Sequence, residues 1–324
     1  MCQNLSRIII DTGQNVKNRL TSVYLYSFWR MADSTNIPAR KRYLADLGLF
    51  YSAAVWGSTF FLVKGALDNI DPVVLVAGRF LLAGMIMLIY LLATGRPVLA
   101  GLRQGAFLGF IIWALYISQT IGLGITTASN SGFITGLFVA FVPLFSLTLF
   151  RRKPTVMELI ATAVSLVGLW ILTGGLTDIN TGDMLTLIAA FTYALHVLYS
   201  DKYMKAGFDP LVLSCQQFLF VGILSLLTAI VLDLPLSLGG TATIATIVFL
   251  GLFPTLSAFV IQLVSQKIRP PLRVSLIFAL EPVFAGVFAW TIGGEIFKTH
   301  TAIGGLFIFA ALVISGIPVK SIKK

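Results

Sequence analysis

Ten apolar segments follow one another along the chain from residue 45 onward, with short polar turns between them. A helix needs about 20 predominantly apolar residues to cross the hydrocarbon core of a bilayer, and each segment is close to that length. Helix-ending pairs such as Asp71-Pro72, Asp209-Pro210 and Pro270-Pro271 separate them. The segments lie at about residues 45–66, 73–93, 104–124, 129–150, 155–174, 182–201, 209–232, 242–265, 272–292 and 300–318. The pattern predicts an all-α integral membrane protein with ten transmembrane helices.

The composition agrees with a protein that lies in lipid. Hydrophobic residues make up 57% of the chain and charged residues only 11%, against about 25% charged in an average soluble domain. Two cysteines offer no disulfide framework. These numbers exclude a soluble enzyme, a secreted disulfide scaffold and a nucleic-acid-binding module, so we expect no nucleic acid among its partners.

The basic residues outside the spans are concentrated on one side. Twenty of the 23 Lys and Arg residues fall in segment 1–43 or in the loops that alternate from it, whereas the other loops hold only Lys298. Because cytoplasmic loops carry the excess of Lys and Arg, we expect a multi-pass protein of the inner (cell) membrane, embedded in the lipid bilayer, with both termini cytoplasmic. Residues 1–43 are polar and aperiodic, which predicts a disordered cytoplasmic tail.

The second half of the chain repeats the first. Asp71-Pro72 with the following Val-Val-Leu returns as Asp209-Pro210 with Leu-Val-Leu, at an offset of 138 residues. Likewise, Pro143 returns as Pro282 at an offset of 139 residues. Each unit holds five helices, an odd number, so the second unit must insert upside down. We therefore predict two inverted five-helix repeats, residues 44–174 (helices 1–5) and residues 182–318 (helices 6–10), which is an architecture of transporters.

Two short motifs resemble a known family. Trp56-Gly57-Ser58-Thr59-Phe60, with Lys64, Pro72 and Arg79, is similar to the opening of the EamA branch of the drug/metabolite transporter superfamily, and Leu280-Glu281-Pro282-Val283 followed by Gly294-Glu295 is similar to its late signature. The resemblance covers about residues 45–318. It implies a secondary transporter for a small-molecule substrate, in many members an exporter of amino acids or related metabolites, and each repeat is then an EamA repeat.

Arg79 is the first of two costly charges inside the spans, since a charge at the bilayer centre costs at least about 2.5–3.5 kcal/mol on insertion scales. It lies about two turns into the second helix. One interpretation is an anchor for a substrate carboxylate, because the guanidinium fork binds that group bidentately. The other is a structural contact with helix-end carbonyls or with a carboxylate of a neighbouring helix.

Glu281 is the second costly charge, near the middle of the ninth helix and directly before Pro282. The proline favours a kink and a locally polar pocket there. A carboxylate at this depth can exchange protons and couple transport to a proton gradient, which would make protons a second partner. Alternatively, Glu281 braces the kinked helix.

Other polar and aromatic residues within the spans complete the predicted site. For His196 we weigh a proton relay against a neutral histidine that is hydrogen-bonded to a neighbouring helix. Gln119 and Gln262 occupy near-equivalent places in the third and eighth helices, where amides either hydrogen-bond between helices or line a wet cavity. Their near-symmetric placement favours the cavity, which we expect between the halves, lined by helices 1, 3, 4, 6, 8 and 9. The predicted substrate pathway comprises Trp56, Arg79, Tyr116, Gln119, Asn130, His196, Gln262 and Glu281.

Motifs for other chemistry are missing from the sequence. There is no Gly-Lys dipeptide for a phosphate-binding loop and no His-Glu-x-x-His or paired-cysteine motif, so we expect no cofactor, no metal and no enzyme activity. Two alternatives to an amino-acid exporter stay open: a nucleotide-sugar or phosphate-ester carrier, and a non-transporting membrane enzyme or scaffold subunit. A homodimer is compatible with the sequence.

Overall fold

The computed structural model describes residues 37–176, 178–291 and 298–315, and every regular element in those ranges is helical. The chain divides into two compact units, residues 1–41 and residues 42–324, and the fold below is that of the second. The prediction of a disordered tail lies mostly outside the described residues. Where it does not, the first helix begins at Ala39 rather than after residue 43.

The described residues form fourteen α-helices and one π-helical segment. In chain order they are α1 Ala39–Gly57, α2 Thr59–Ala66, α3 Pro72–Ala93, α4 Leu102–Ile125, α5 Ala128–Gly136, α6 Phe138–Thr148, α7 Val156–Thr173, α8 Thr181–Lys205, α9 Pro210–Val231, α10 Thr241–Leu250, the π segment Gly251–Ser257, α11 Ala258–Gln266, α12 Pro271–Phe278, α13 Glu281–Thr291 and α14 Thr299–Ser315.

These helices group into ten spans. Span 1 is α1 with α2, spans 2 and 3 are α3 and α4, and span 4 is α5 with α6; spans 5 to 7 are α7, α8 and α9. Span 8 runs from α10 through α11, span 9 is α12 with α13, and span 10 is α14. In the described part of the chain, nine runs are long and apolar enough to cross a membrane, and the tenth, Thr299–Ser315, is apolar but shorter. The all-α membrane fold is confirmed, and the ten predicted helices are compatible with it.

Several spans are not continuous α-helices. Span 1 is interrupted at Ser58, span 4 at Leu137 and span 9 between Phe278 and Glu281. The break in span 9 has a clear cause, because Pro282 lacks a backbone N–H and its ring displaces the carbonyl four residues earlier, that of Phe278. Glu281 therefore stands at the first position of α13, beside the kink that the sequence predicts.

The two halves pack on each other with matching contacts. Gly84 of span 2 lies against Leu219 of span 7, and Gly222 of span 7 lies against Leu81 of span 2. Gly84 and Gly222 are 138 positions apart, and so are Leu81 and Leu219, so the same contact is seen twice, once from each repeat. The halves are therefore related by a pseudo-twofold axis, as the inverted repeats require.

Three pairs of aromatic rings lie across this axis. In each pair the second residue is the repeat counterpart of the first, and the ring centroids are 6.1 Å apart. We call these six residues the aromatic layer. Its pairs are Trp56 with Tyr193, Phe80 with Phe218, and Tyr116 with Phe259. Because an axis that inverts the repeats lies in the membrane plane, the aromatic layer marks the middle of the bundle.

Candidate functional site

The two ends of the bundle differ in charge. The end at which spans 2 and 3, 4 and 5, 6 and 7, and 8 and 9 connect carries most of the described cations, and we call it the basic end. The other, which we call the opposite end, includes Lys64, Asp71 and Asp183. All positions below are given relative to these two ends.

A cavity opens beside the aromatic layer, in the half of the bundle that faces the opposite end. It is lined by residues of spans 1, 2, 3, 4, 6, 8 and 9 and has a volume of about 30 Å³. Since roughly 10–15 Å³ holds one water, the cavity has room for about two waters. A metabolite can enter only when the surrounding spans move apart.

Five of the eight residues assigned to the substrate pathway line this cavity: Trp56, Arg79, Tyr116, Gln119 and Glu281. Span 2 contributes Arg79, so the cavity draws on one helix more than the six that the sequence analysis expected. The remaining three residues, Asn130, His196 and Gln262, are fully or almost fully buried but do not line it.

Arg79 is buried, with 2% of its surface exposed. Its Nε donates a hydrogen bond to Thr255 Oγ1 at 2.9 Å, and its guanidinium carbon lies 4.7 Å from the centre of the Tyr116 ring. Nη2 has no hydrogen-bond acceptor in ranges 37–176, 178–291 and 298–315. In the part of the chain that the structure describes, no carboxylate forms an ion pair with Arg79. The guanidinium is therefore held in place by a hydroxyl and a ring, and neither helix-end carbonyls nor a carboxylate neutralise it.

Glu281 is the acidic counterpart on the cavity wall, with 8% of its surface exposed. No hydrogen bond or ion pair to its carboxylate is formed within the described ranges. The backbone carbonyl of Glu281 packs closely on Gly57, where even a Cβ atom would approach it to 2.6 Å. Span 1 thus fixes the position of Glu281 at the kink, and no described residue pairs with its carboxylate.

The walls between the two charges are aromatic and weakly polar. The indole Nε1 of Trp56 donates to the carbonyl of Pro254 at 2.8 Å, which orients the ring, and Gln119 Nε2 donates to Thr135 Oγ1 at 2.9 Å. Nine lining residues are absent from the predicted pathway: Thr59, Phe60, Val63, Leu115, Thr120, Leu123, Thr135, Tyr193 and Phe259. The repeat could have revealed Tyr193 and Phe259, because they are the counterparts of Trp56 and Tyr116.

His196 and Gln262 lie on the other side of the aromatic layer. His196 Nε2 is hydrogen-bonded to Gln217 Oε1 of span 7 at 3.2 Å, which is the bond to a neighbouring helix that one interpretation expected. Gln262 Nε2 donates to Gln266 Oε1 at 3.4 Å. Asn130 is buried near the start of span 4, where its backbone N–H donates to Thr127 Oγ1 at 3.1 Å. Glu295 and Gly294 of the late motif lie outside the described residues.

A charged network closes the basic end. Asp46 of span 1 accepts a hydrogen bond from Arg269, and Arg273 Nη2 donates to the same Asp46 oxygen at 3.1 Å. Arg273 Nη1 also donates to the carbonyl of Leu312 in span 10 at 3.3 Å. All three charged side chains are at least three-quarters buried. The network therefore ties spans 1, 9 and 10 to the connection between spans 8 and 9.

Comparison with known proteins gives one consistent family. The model of the EamA-like transporter family matches residues 43–174 and, a second time, residues 180–317. An uncharacterized transporter of Archaeoglobus fulgidus is 30% identical over 276 residues, covering 85% of this chain and 86% of that protein. The uncharacterized inner membrane transporter YedA of Escherichia coli K12 is 26% identical, covering 82% of this chain and 89% of YedA.

Two further similarities reach less far. A probable amino-acid metabolite efflux pump of Salmonella typhimurium is 28% identical over 169 residues, covering 49% of this chain and 54% of the pump. A crystal structure of another protein matches this fold with a TM-score of 0.71 at 19% identity, covering 84% of this chain and 96% of that one, and it shows the fold alone. The family model, matched over both halves, settles the membership: this chain is a multi-pass membrane protein of the EamA-like transporter family.

Proposed function

We propose that the protein is a secondary transporter that exports amino acids or related zwitterionic metabolites across the inner membrane by alternating access. One observation carries the proposal. Arg79 and Glu281 are opposite charges on the wall of the same buried cavity, and neither is neutralised by a charged group of the described protein. The probable amino-acid efflux pump among the relatives points to the same class of substrate.

Arg79 suits a substrate carboxylate. Removing a buried charge from water costs several kcal/mol unless a partner compensates it, and Nη2 of Arg79 has no acceptor among the described residues. Thr255 and the Tyr116 ring fix the plane of the guanidinium without consuming its charge. A carboxylate that enters the cavity can accept from this preoriented fork, which makes the charge-assisted bond both strong and directional.

Glu281 suits either of two cations. The α-ammonium of an amino acid can donate to its carboxylate, and so can a proton from solvent when the cavity is empty. The ammonium and the proton exclude each other, so a proton can bind the Glu281 carboxylate only after the ammonium has left it. Competition at one carboxylate in this way gives exchange of substrate for protons, and the proton gradient then drives export.

The aromatic walls suit the rest of an amphipathic substrate. Trp56, Tyr116, Tyr193 and Phe259 offer apolar faces to a side chain, and an ammonium over such a face gains a cation–π attraction of about 0.5–2 kcal/mol. A nucleotide sugar or phosphate ester fits less well, because Arg79 is the only cation among the lining residues in the described ranges, and a diphosphate carries two or more negative charges.

Transport by proteoliposomes tests this function. The purified protein is reconstituted into vesicles, and the vesicles are loaded with an unlabelled mixture of the protein amino acids. Counterflow is then measured as the uptake of labelled amino acids from outside. Each substrate is then challenged with its amine analogue, which lacks the carboxylate, and with its keto acid, which lacks the ammonium. We expect the zwitterion to compete at least tenfold better than either analogue, since each lost charged contact is worth at least about 1.4 kcal/mol.

Variants connect the result to the two charges. Arg79→Lys is expected to lose almost as much uptake as Arg79→Ala, because an ammonium cannot reproduce the planar fork, with melting temperatures near that of wild type. Glu281→Gln is expected to lose both its preference for the zwitterion over the keto acid and its response to a pH gradient. Lys64→Ala is the matched control, since Lys64 donates to the carbonyls of Leu123 and Thr126 and not into the cavity.

Three outcomes would overturn the proposal: no counterflow of any amino acid, equal competition by the zwitterion and its two analogues, or gradient-driven uptake that survives Glu281→Gln unchanged. A melting temperature that falls together with activity in both Arg79 variants would instead assign that residue a structural role.

A further inference from the structure

A second buried polar cluster lies on the basic-end side of the aromatic layer. We call it the Gln–His cluster, and it comprises His196 and Ser200 of span 6, Gln217 of span 7, and Gln262 and Gln266 of span 8. All five side chains are completely buried. Ser200 Oγ is within 3.3 Å of His196 Nε2, and Gln266 Nε2 donates to the carbonyl of Val197 at 2.8 Å.

Three polar atoms of this cluster have no hydrogen-bond partner among the residues that the structure describes: His196 Nδ1, Gln217 Nε2 and Gln262 Oε1. Native interiors leave few buried polar atoms unpaired, so each one calls for an explanation. An amide oxygen only accepts, so His196 Nε2 donates to Gln217 Oε1 and Nδ1 is left as an acceptor. The cluster thus offers one unpaired amide donor and two unpaired acceptors. Apolar side chains at these positions would leave no buried polar atom unpaired.

The packing of the two halves fixes which residues of the second repeat correspond to which residues of the first. Besides the pairing of Gly84 and Gly222, Gly109 of span 3 lies against Phe220 of span 7, and its counterpart Gly251 of span 8 lies against Leu82 of span 2. The offset between the two glycines is 142. Past the π segment Gly251–Ser257 it becomes 143, because a π-helical turn accommodates one extra residue. The correspondence between the halves is therefore fixed by packing as well as by sequence.

With these offsets, the cavity and the Gln–His cluster map onto each other. Arg79 corresponds to Gln217 at an offset of 138, Gln119 to Gln262 at 143, and Thr59 to His196 at 137. The members of each pair lie on opposite sides of the aromatic layer, as the pseudo-twofold axis demands. The Gln–His cluster is thus the image of the cavity in the other repeat, with an amide in place of the guanidinium.

We propose that the Gln–His cluster is a second substrate subsite, which binds the same zwitterionic metabolites when the basic end opens and the cavity beside Arg79 collapses. This inference rests on the proposed function. The free amide hydrogen of Gln217 donates to the substrate carboxylate, and His196 Nδ1 with Gln262 Oε1 accepts from the ammonium. Because these contacts are neutral, the subsite binds the substrate more weakly than the cavity does.

Thiol labelling from each face tests the subsite. Gln262→Cys is introduced into a Cys2→Ser/Cys215→Ala background, and a membrane-impermeant maleimide is applied to one face of the vesicles at a time. Two exposed positions calibrate the faces, Lys202→Cys at the basic end and Ser237→Cys at the opposite end. We expect the thiol at position 262 to react only from the face that labels Lys202→Cys, and an equimolar mixture of the protein amino acids to slow the reaction at least fivefold.

Sided kinetics supply the second measurement. Gln217→Leu is expected to raise KM at least fivefold for uptake from the basic end and to leave KM from the opposite end within twofold. Gln216→Leu is the matched control, because the neighbouring amide donates to the carbonyls of Val98 and Ala100 and is structural. It should shift neither KM, whatever it does to stability.

Each remaining outcome counts against the subsite. Labelling of position 262 from the opposite face or from neither face overturns it, as does labelling without protection, or a Gln217→Leu variant whose two KM values stay equal to those of wild type. Failure of the proposed function is distinguishable, since it shows as wild-type vesicles that transport no amino acid, whereas failure of the subsite leaves wild-type transport intact.

Discussion

The two ends of the bundle use residues at equivalent positions of the two repeats, but these residues form different contacts. At the basic end, Asp46 of span 1 pairs with Arg269 and Arg273. At the opposite end, Asp183, the counterpart of Asp46 at an offset of 137, accepts a hydrogen bond of 2.5 Å from the hydroxyl of Thr126. Thr126 and Arg269 are themselves counterparts, at an offset of 143.

This difference shows that the two ends of an inverted repeat can be held by contacts of unequal strength. Equal halves would give two states of equal free energy, open at one end or at the other. Here the contact that closes the basic end is an ion pair and the one that closes the opposite end is a hydrogen bond from a hydroxyl. The structure has its cavity in the half that faces the opposite end, as expected where the stronger contact is formed. If the protein works by the proposed alternating access, substitutions at equivalent positions of the two repeats bias which end is open.

The largest effect is expected from Asp46→Asn. It removes the charge that two mostly buried guanidinium groups share, and breaking a buried pair on one side costs about 3–5 kcal/mol. We expect part of this loss to appear as a lower melting temperature and part as more frequent opening of the basic end. The opening is measured as faster reaction of the Gln262→Cys thiol with maleimide.

Arg96→Gln is the control for this change. Arg96 pairs with Asp209 at the same end, but both side chains are more than a third exposed, and such pairs are worth about 0–1 kcal/mol. A loss of stability in Arg96→Gln as large as that in Asp46→Asn would show that the basic end owes its closure to charge in general and not to the buried network.

A smaller and symmetric effect is expected from Gly84→Ala and Gly222→Ala. A Cβ atom at either position would come within 2.8 Å of Leu219 or Leu81, respectively, and such overpacking costs about 1–3 kcal/mol. Because the two contacts are counterparts, we expect equal losses of melting temperature in detergent, with no change in which end is open.

Gly65→Ala serves as the control here, since nothing lies within 4 Å of a Cβ atom at that position and alanine is the better helix former by about 1 kcal/mol. Clearly unequal effects of Gly84→Ala and Gly222→Ala would mean that the twofold relation between spans 2 and 7 is only approximate in energy.

Much of this architecture is visible in the sequence, because it rests on local signals. Apolar length gives the spans, the Asp-Pro pairs that cap spans 2 and 7 give the repeat, and Pro282 gives the break beside Glu281. The charges of Arg79 and Glu281 are visible for a similar reason, since lipid makes every such residue conspicuous. These signals need no knowledge of which helices touch.

What the sequence leaves out depends on packing between spans. That Thr255, and no carboxylate, contacts Arg79 depends on where the π segment rotates span 8. That His196 and Gln262 lie across the aromatic layer from the cavity, while Gln119 lies in it, depends on the direction in which each span runs. In the sequence, only the repeat offsets indicate this arrangement, and the exact offsets are known only after the packing contacts have fixed them.

The smallest effect is expected from Thr126→Val, which removes the hydroxyl from Asp183 while keeping the side-chain shape. The other oxygen of Asp183 still accepts from the backbone N–H of Asn180 at 2.9 Å, so the carboxylate keeps a partner and the loss should be about 1–2 kcal/mol. Thr148→Val is the control, because its hydroxyl only donates to the carbonyl of Leu144 on the exposed surface of its own helix. The weakened opposite end should open more often, and the thiol of Gln262→Cys should then react more slowly with maleimide than in the otherwise unchanged protein. Faster reaction would mean that the contact between Thr126 and Asp183 does not hold the opposite end closed, and the comparison between the two ends would then rest on Asp46 alone.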